Sequence, residues 1–180
     1  GVSKATIFNY MEVDKIPEDA EFISYGADAG YTNDPTTLVS VYRKDFNLYI
    51  KEHIYQTQMT TYDIHNKWKS VGIDRETIYF DSAEPRLIEE LRRMGWNVRP
   101  SLKGADSVNA GIDLLKRFKI HIQKDSHNCI QEFRNYKWQE DRSGKMINKP
   151  VDKNNHTIDA IRYATYSVIS KPNFGKYAVQ

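Results

Sequence analysis

Phe22-Ile23-Ser24-Tyr25-Gly26-Ala27-Asp28, Thr37-Leu38-Val39-Ser40-Val41-Tyr42 and Leu48-Tyr49-Ile50-Lys51-Glu52-His53-Ile54-Tyr55 follow one another within 34 residues of the chain. Each run is rich in β-branched and aromatic residues, and turn chemistry separates them, which predicts three consecutive strands. Gly30-Tyr31-Thr32-Asn33-Asp34-Pro35 joins the first two, and Arg43-Lys44-Asp45-Phe46-Asn47 makes a short hairpin loop between the others. Connections this short predict an antiparallel meander.

Downstream the pattern alternates between helical and extended segments. Ile64, Trp68 and Val71 recur at helical spacing behind Thr60 or Thr61 as cap. Thr77–Asp81 reads as a short strand ending on a carboxylate, and Pro85 opens a helix whose apolar side is Leu87, Ile88 and Leu91. Gly95 stops that helix, and Trp96–Pro100 is a brief strand. Ser107 is placed as the cap of a third helix carrying Val108, Ile112, Leu115 and Phe118. Ile120–Ile122 is another strand, and Ile130, Phe133 and Tyr136 mark a fourth helix. Residues Lys137–Lys153 read as a polar hairpin or loop, and a last helix runs from about Asn155 to Ser170, ended by Pro172. The expected architecture is α/β, with three antiparallel strands and then parallel strands in a mixed sheet flanked by helices. Residues 1–20 are expected to be a linker or N-terminal arm, 21–171 the domain, and 172–180 a tail. Beginning at Gly1 rather than Met, the chain reads as an excised part of something longer.

Composition narrows the function classes. With 26 Lys+Arg against 24 Asp+Glu the net charge is +2, too small for a blanket polycation but compatible with one basic face. Hydrophobic residues at 39% suffice for a core in 180 residues. Cys129 is the only cysteine, which excludes an internal disulfide and a cysteine zinc cluster. No run is long and apolar enough to span a membrane, and no Gly-x-x-x-x-Gly-Lys-Ser/Thr loop is present to bind nucleotide.

Three aspartates stand where α/β folds place their sites. Asp28 ends the first strand before Ala29-Gly30, Asp81 ends the fourth, and Asp159 lies in the first turn of the last helix, three residues after His156. Converging carboxylates repel unless a cation neutralises them, and such oxygen ligands suit Mg²⁺ or Mn²⁺. Taken singly, each Asp is also explained as a turn former, a cap or a partner of the helix dipole, and His156 as an exposed histidine.

Asp28-Ala29-Gly30-Tyr31-Thr32-Asn33-Asp34-Pro35-Thr36-Thr37-Leu38, Phe80-Asp81-Ser82-Ala83-Glu84-Pro85, Ser101–Ile112 and Asn155-His156-Thr157-Ile158-Asp159-Ala160-Ile161-Arg162-Tyr163-Ala164 together resemble the carboxyl-terminal nuclease domain of tailed-phage large terminase subunits. The matches run in family order from about Phe22 to Val168. The resemblance implies an RNase H-like (integrase-like) fold and an acidic triad of Asp28, Asp81 and Asp159 holding two divalent cations, Mg²⁺ or Mn²⁺, with His156 matching a histidine that some members use there. The implied reaction is hydrolysis of double-stranded DNA with weak sequence preference, Asp28 bridging both ions, Asp81 holding one, and Asp159 with His156 the other. Asp34 is assigned a supporting or water-mediated role, and Lys103 a phosphate contact, against the simpler readings of turn former and solvated lysine. Lys137, Arg142, Lys145, Lys149 and Lys153 are candidates for following the DNA backbone, with Lys116, Arg117 and Lys119 a second basic cluster. By the same resemblance a packaging ATPase domain precedes this one, a small terminase subunit and a portal ring are partners, and the setting is the host cytoplasm during phage assembly. The alternatives are another RNase H-like nuclease of resolvase or RNase H type, an actin-like ATPase suggested by Asp28-Ala29-Gly30, and a non-catalytic DNA-binding or docking module.

Overall fold

The three runs at the front of the chain form β2 (Glu21–Asp28), β3 (Thr36–Lys44) and β4 (Asn47–Gln56), paired antiparallel with Asp28 opposite Thr37 and Thr37 opposite Tyr55. The hairpin between β3 and β4 closes through Asp45 at φ 53°, a left-handed turn that a short polar side chain tolerates. This computed structural model describes residues 5–102 and 106–170.

The remaining strands add in parallel on both sides. β5 (Ile78–Phe80) lies along β2, and β6 (Val98–Pro100) along β5. β7 (Lys119–Gln123) lies along β4, and β1 (Met11–Val13) along β7. The seven-stranded order is β1-β7-β4-β3-β2-β5-β6, which puts β2 inside the sheet with its carboxyl end beside that of β5. Helices α1 (Thr61–Val71) and α2 (Pro85–Arg93) cover one face, burying Ile64, Trp68, Ile88 and Leu91 against Leu38, Ile54, Ile78 and Phe80. Helices α3 (Ser107–Leu115), α4 (His127–Asn135) and α5 (His156–Ile169) cover the other, packing Ile112, Leu115, Phe133, Ile158 and Ile161 on Val39, Val41, Leu48 and Ile50. Thr60 caps α1 through a capping box with Asp63, and Gly72 (φ 92°) ends it in the left-handed conformation.

One close approach positions the site. A Cβ on Gly26 would sit 1.9 Å from the carbonyl oxygen of Ala160 and 3.1 Å from the Ala164 side chain. With no side chain there, α5 lies directly on β2, and its first turn arrives at the edge where Asp28 emerges.

The structure departs from the sequence expectations in three places, and residues 137–153, read as a hairpin or loop, take the hairpin form. Residues 5–13, expected within a linker arm, are built into the domain. Ile7 and Phe8 are buried, Ile7 N–H donates to the carbonyl of Tyr136, and Met11–Val13 is an edge strand. Phe8 stacks on Tyr136 with ring centroids 6.0 Å apart, so apolar contact rather than strand pattern anchors this segment. Ser107 is the first helical residue of α3, and Asp106 (φ 61°) occupies the cap position without a side-chain bond. Val108, expected on the apolar side, is exposed. Residues 137–153 form a paired hairpin, β8 (Trp138–Glu140) with β9 (Met146–Pro150), whose turn is held by Asp141 accepting from Ser143 and Lys145 backbone N–H groups. No helix among the described residues is long and apolar enough to cross a membrane.

Candidate active site

Because β2 and β5 run parallel with Ala27 opposite Phe80, the next residue of each, Asp28 and Asp81, stands at the same edge of the sheet. Asp28 is 7% exposed, and its backbone N–H donates to Thr37 Oγ1 at 3.3 Å. Thr37 Oγ1 in turn donates to the carbonyl oxygen of His156, so β3 ties the strand end to the start of α5. Asp81 is partly buried and accepts from Ala83 N–H at 2.9 Å, which shapes the turn into α2. Asp159 lies in the first turn of α5, 3.2 Å from Nη2 of Arg162.

His156 stands between two carboxylates. Its Nδ1 is 3.6 Å from Oδ2 of Asp28 and its Nε2 is 3.5 Å from Oδ1 of Asp34, a residue with an otherwise exposed side chain. Contact with Asp28 raises the His156 pKa, opposed by burial. Burial raises the Asp28 carboxyl above the ordinary range; the His156 contact opposes this and the charge on Asp81 adds to it. Asp159 is pushed up to about 7, first by burial and then by Asp28, with Arg162 acting in the other direction. Burial, reinforced by Asp28, Asp159 and Asp81, keeps the Tyr163 phenol protonated. These are mutually repelling anions gathered in a poorly solvated place, a donor set that fits a hard divalent cation. Among the described residues, no three His, Cys, Asp or Glu side chains are arranged so that they could hold a metal ion. Instead Asp28 leans on His156 and Asp159 on Arg162, whose own Nε is buried without a partner among the described residues.

Two side chains outside the sequence-based set organise this edge. Thr37 is the hydroxyl linking Asp28 and His156. Glu132 of α4, 2% exposed, accepts from the backbone N–H groups at the start of α5, where the Asn155 side chain makes no capping bond. Its signal in the sequence was an acid between Cys129 and Tyr136 on the apolar side of a helix, a position that demands local donors.

Of the other candidates, Lys103 lies outside the described residues. Lys137, Arg142, Lys145, Lys149 and Lys153 are all exposed, and they divide between two clefts and the hairpin turn. Lys149 lines a cleft of about 550 Å³ with Asp106, Asp152, Asp159 and Arg162. Lys137 and Lys153 line another, of about 940 Å³, with Arg134, Phe8 and Tyr10. Arg142 and Lys145 sit at the turn of the hairpin. Trp68 and Trp96 pack edge to face in the core, 5.5 Å between centroids.

The large terminase subunit of Bacillus phage SPP1 is 34% identical over 149 residues, covering 79% of this chain and 35% of that protein. The crystal structure of the SPP1 large terminase nuclease domain with bound Mn superposes with a TM-score of 0.71 at 28% identity, covering 89% of this chain and 97% of that one. The large terminase nuclease of thermophilic phage G20c, with bound magnesium, shares the fold at a TM-score of 0.58 and 16% identity, covering 88% and 92%. The chain thus spans about a third of the length of the SPP1 subunit. The family described as the terminase RNase H-like domain matches residues 28–166, from the first aspartate of the edge into the helix that carries the third, and the chain belongs to that family.

Proposed function

We propose that this chain is a metal-dependent DNA endonuclease, the cutting module of a phage large terminase, acting on concatemeric viral DNA during packaging. The observation that carries the reading is the gathering of Asp28, Asp81 and Asp159 at one sheet edge, from two parallel strand ends and one helix turn. The manganese in the SPP1 nuclease domain supports a divalent cation, and a pair of such ions is the arrangement proposed for these three carboxylates and one imidazole.

Asp28 would bridge the two ions, because it ends a strand hydrogen-bonded on both sides and is the least free to move. Asp81 would hold one ion, and Asp159 with His156 the other. Bound there, the cations would supply an acidic water as nucleophile and charge compensation for the leaving oxygen. The protein's own part is positional. The β2 and β5 ends fix two carboxylates, Arg162 holds Asp159, and Asp34 restrains the far side of the His156 ring. Lys149, which lines the same cleft as Asp159, would touch the DNA backbone near the cut, while Lys137, Lys153, Arg142 and Lys145 would reach backbone further away. No base-reading motif accompanies them, so weak sequence preference is expected. A packaging ATPase domain in the same protein, a small terminase subunit, a portal and the host cytoplasm complete the proposed setting.

The test is cleavage of supercoiled plasmid with Mn²⁺, Mg²⁺ or EDTA, beside the Asp159→Asn variant. Nicking and linearisation should require metal and disappear in the variant. Metal-independent cutting, or full activity in the variant, would sink the reading. An absence of DNA cleavage under every metal would favour a binding module.

A further inference from the structure

We infer that Glu132 is a positioning residue of the cleavage site, a buried carboxylate that clamps the backbone of His156 and so aims the first turn of α5. The inference rests on the reading of that site as catalytic.

Glu132 comes from α4, an element that contributes no candidate ligand. Its side chain receives five hydrogen bonds, all from neutral donors, and the two oxygens divide them. Oε1 accepts from Thr157 N–H at 2.7 Å, Thr157 Oγ1 at 2.5 Å and Ile158 N–H at 3.3 Å. Oε2 accepts from His156 N–H at 3.1 Å and from Tyr55 Oη at 2.9 Å. A buried carboxylate without a cationic partner is costly, and a simple helix cap does not require one, since a Ser or Asn at the cap position satisfies the same N–H groups. The charge is tolerated here because the helix end supplies several N–H groups and a favourable dipole.

The Oε2 side is what links it to function. His156 is held through its N–H by Glu132 and through its carbonyl by Thr37, whose hydroxyl also accepts from the Asp28 N–H. The Tyr55 ring, edge-on to the His156 imidazole at 6.4 Å, is fixed by its own bond to the same Oε2. Strands β2, β3 and β4 and helix α4 thus converge on one residue, from which Asp159 follows by less than one helical turn. Ligand-bearing side chains held in this way keep their geometry when charge accumulates around them.

Glu132→Gln separates this role from general support. An amide has one acceptor oxygen and one NH₂. With its oxygen toward the three donors at Thr157 and Ile158, the helix end stays capped, and the NH₂ faces the His156 N–H donor to donor. Tyr55 Oη can rotate to accept from that NH₂, whereas the His156 N–H cannot. The variant should therefore fold while releasing His156. Plasmid cleavage by the whole chain should fall about 10- to 100-fold, the Mn²⁺ concentration for half-maximal rate should rise, and Mn²⁺ binding without DNA, read by electron paramagnetic resonance, should weaken in parallel. A rate within twofold of the parent at every Mn²⁺ concentration would overturn the inference. So would a loss accounted for entirely by a smaller folded fraction with parental Mn²⁺ dependence. Should Glu132→Gln fail to fold, Tyr55→Phe removes the other donor on Oε2. It should slow cleavage roughly fivefold with a raised Mn²⁺ requirement, and parental values would again overturn the proposal. Asp159→Asn run alongside separates the two levels. If it is inactive while Glu132→Gln is parental, only the role of Glu132 falls. If it cuts normally, the site itself falls and this role with it.

Discussion

The sheet edge at Asp28 and the β8–β9 hairpin carry the two kinds of charge on which the proposed nuclease reading rests, and they hold them differently. At the edge, anions are buried and cross-tied: Asp28 through Thr37 and His156, Asp159 through Arg162, and the start of α5 through Glu132. On the hairpin, Arg142, Lys145 and Lys149 are exposed, and the turn is held by Asp141 within its own five residues. Chemistry at a phosphorus atom needs carboxylates fixed before substrate arrives, so their repulsion must be overcome by folding. Contact with a phosphate backbone needs only positive charge within reach, which solvated lysines supply at little cost to stability.

Breaking the edge should therefore have the largest effect. Asp28→Asn, Asp81→Asn and Asp159→Asn should each reduce metal-dependent cleavage on the order of 10³-fold, about 4 kcal/mol in barrier, with circular dichroism unchanged. His156→Ala should lose less and depend on which metal is supplied. A set of aspartate variants that cut normally would show that the edge is only structural.

Next in size is the contact that brings α5 to the edge. Gly26→Ala places a methyl against the Ala160 carbonyl, which cannot move without shifting the helix. It should destabilise the fold by about 3 kcal/mol, a drop in Tm of roughly 6–12 °C, and reduce cleavage in the protein that remains folded. An unchanged Tm would mean that α5 does not lie so close to β2.

A smaller effect follows from the Asp159 carboxyl at about 7. Its folded pKa is raised above the unfolded value, so the metal-free folded state holds a proton that the unfolded chain gives up. Stability contributed in this way is greatest below about pH 4 and declines as pH rises toward 7. In EDTA, Asp159→Asn should match the parent near pH 4 and melt a few degrees above it at pH 8. Equal melting temperatures at both pH values would contradict the burial of this carboxylate.

The hairpin should show the mildest changes. Lys149→Ala should weaken DNA binding roughly threefold and lower the salt dependence by about one counterion, with Tm unaffected. Lys145→Ala, at the turn and away from the Asp159 cleft, should change binding less than Lys149→Ala does. The reverse order would place the DNA across the tip of the hairpin.

Much of the fold was legible because it rests on local periodicity. The runs at Glu21–Asp28, Thr36–Lys44 and Asn47–Gln56 and the spacing of Ile64 and Trp68 announce strands and a helix without knowledge of partners. Met11–Val13 carries no such signal, since three mixed residues become a strand only when β7 offers a free edge. The same limit explains Val108. Helical spacing places it on the apolar face, yet the neighbours present at that point of α3 leave it in solvent.

What the sequence determined by itself was the inventory: which carboxylates end strands or open a helix, that the chain can build an α/β sheet, and which family it resembles. Tertiary structure alone decided the pairings. That His156 lies between Asp28 and Asp34 and that Glu132 closes the end of α5 depend on residues 24 to 128 positions apart. Only the Asp159–Arg162 pair is local, and it gained its weight from burial rather than spacing. The physical reason is that propensity acts over a few residues, whereas the free energy of a charge depends on how much water the rest of the fold removes from it.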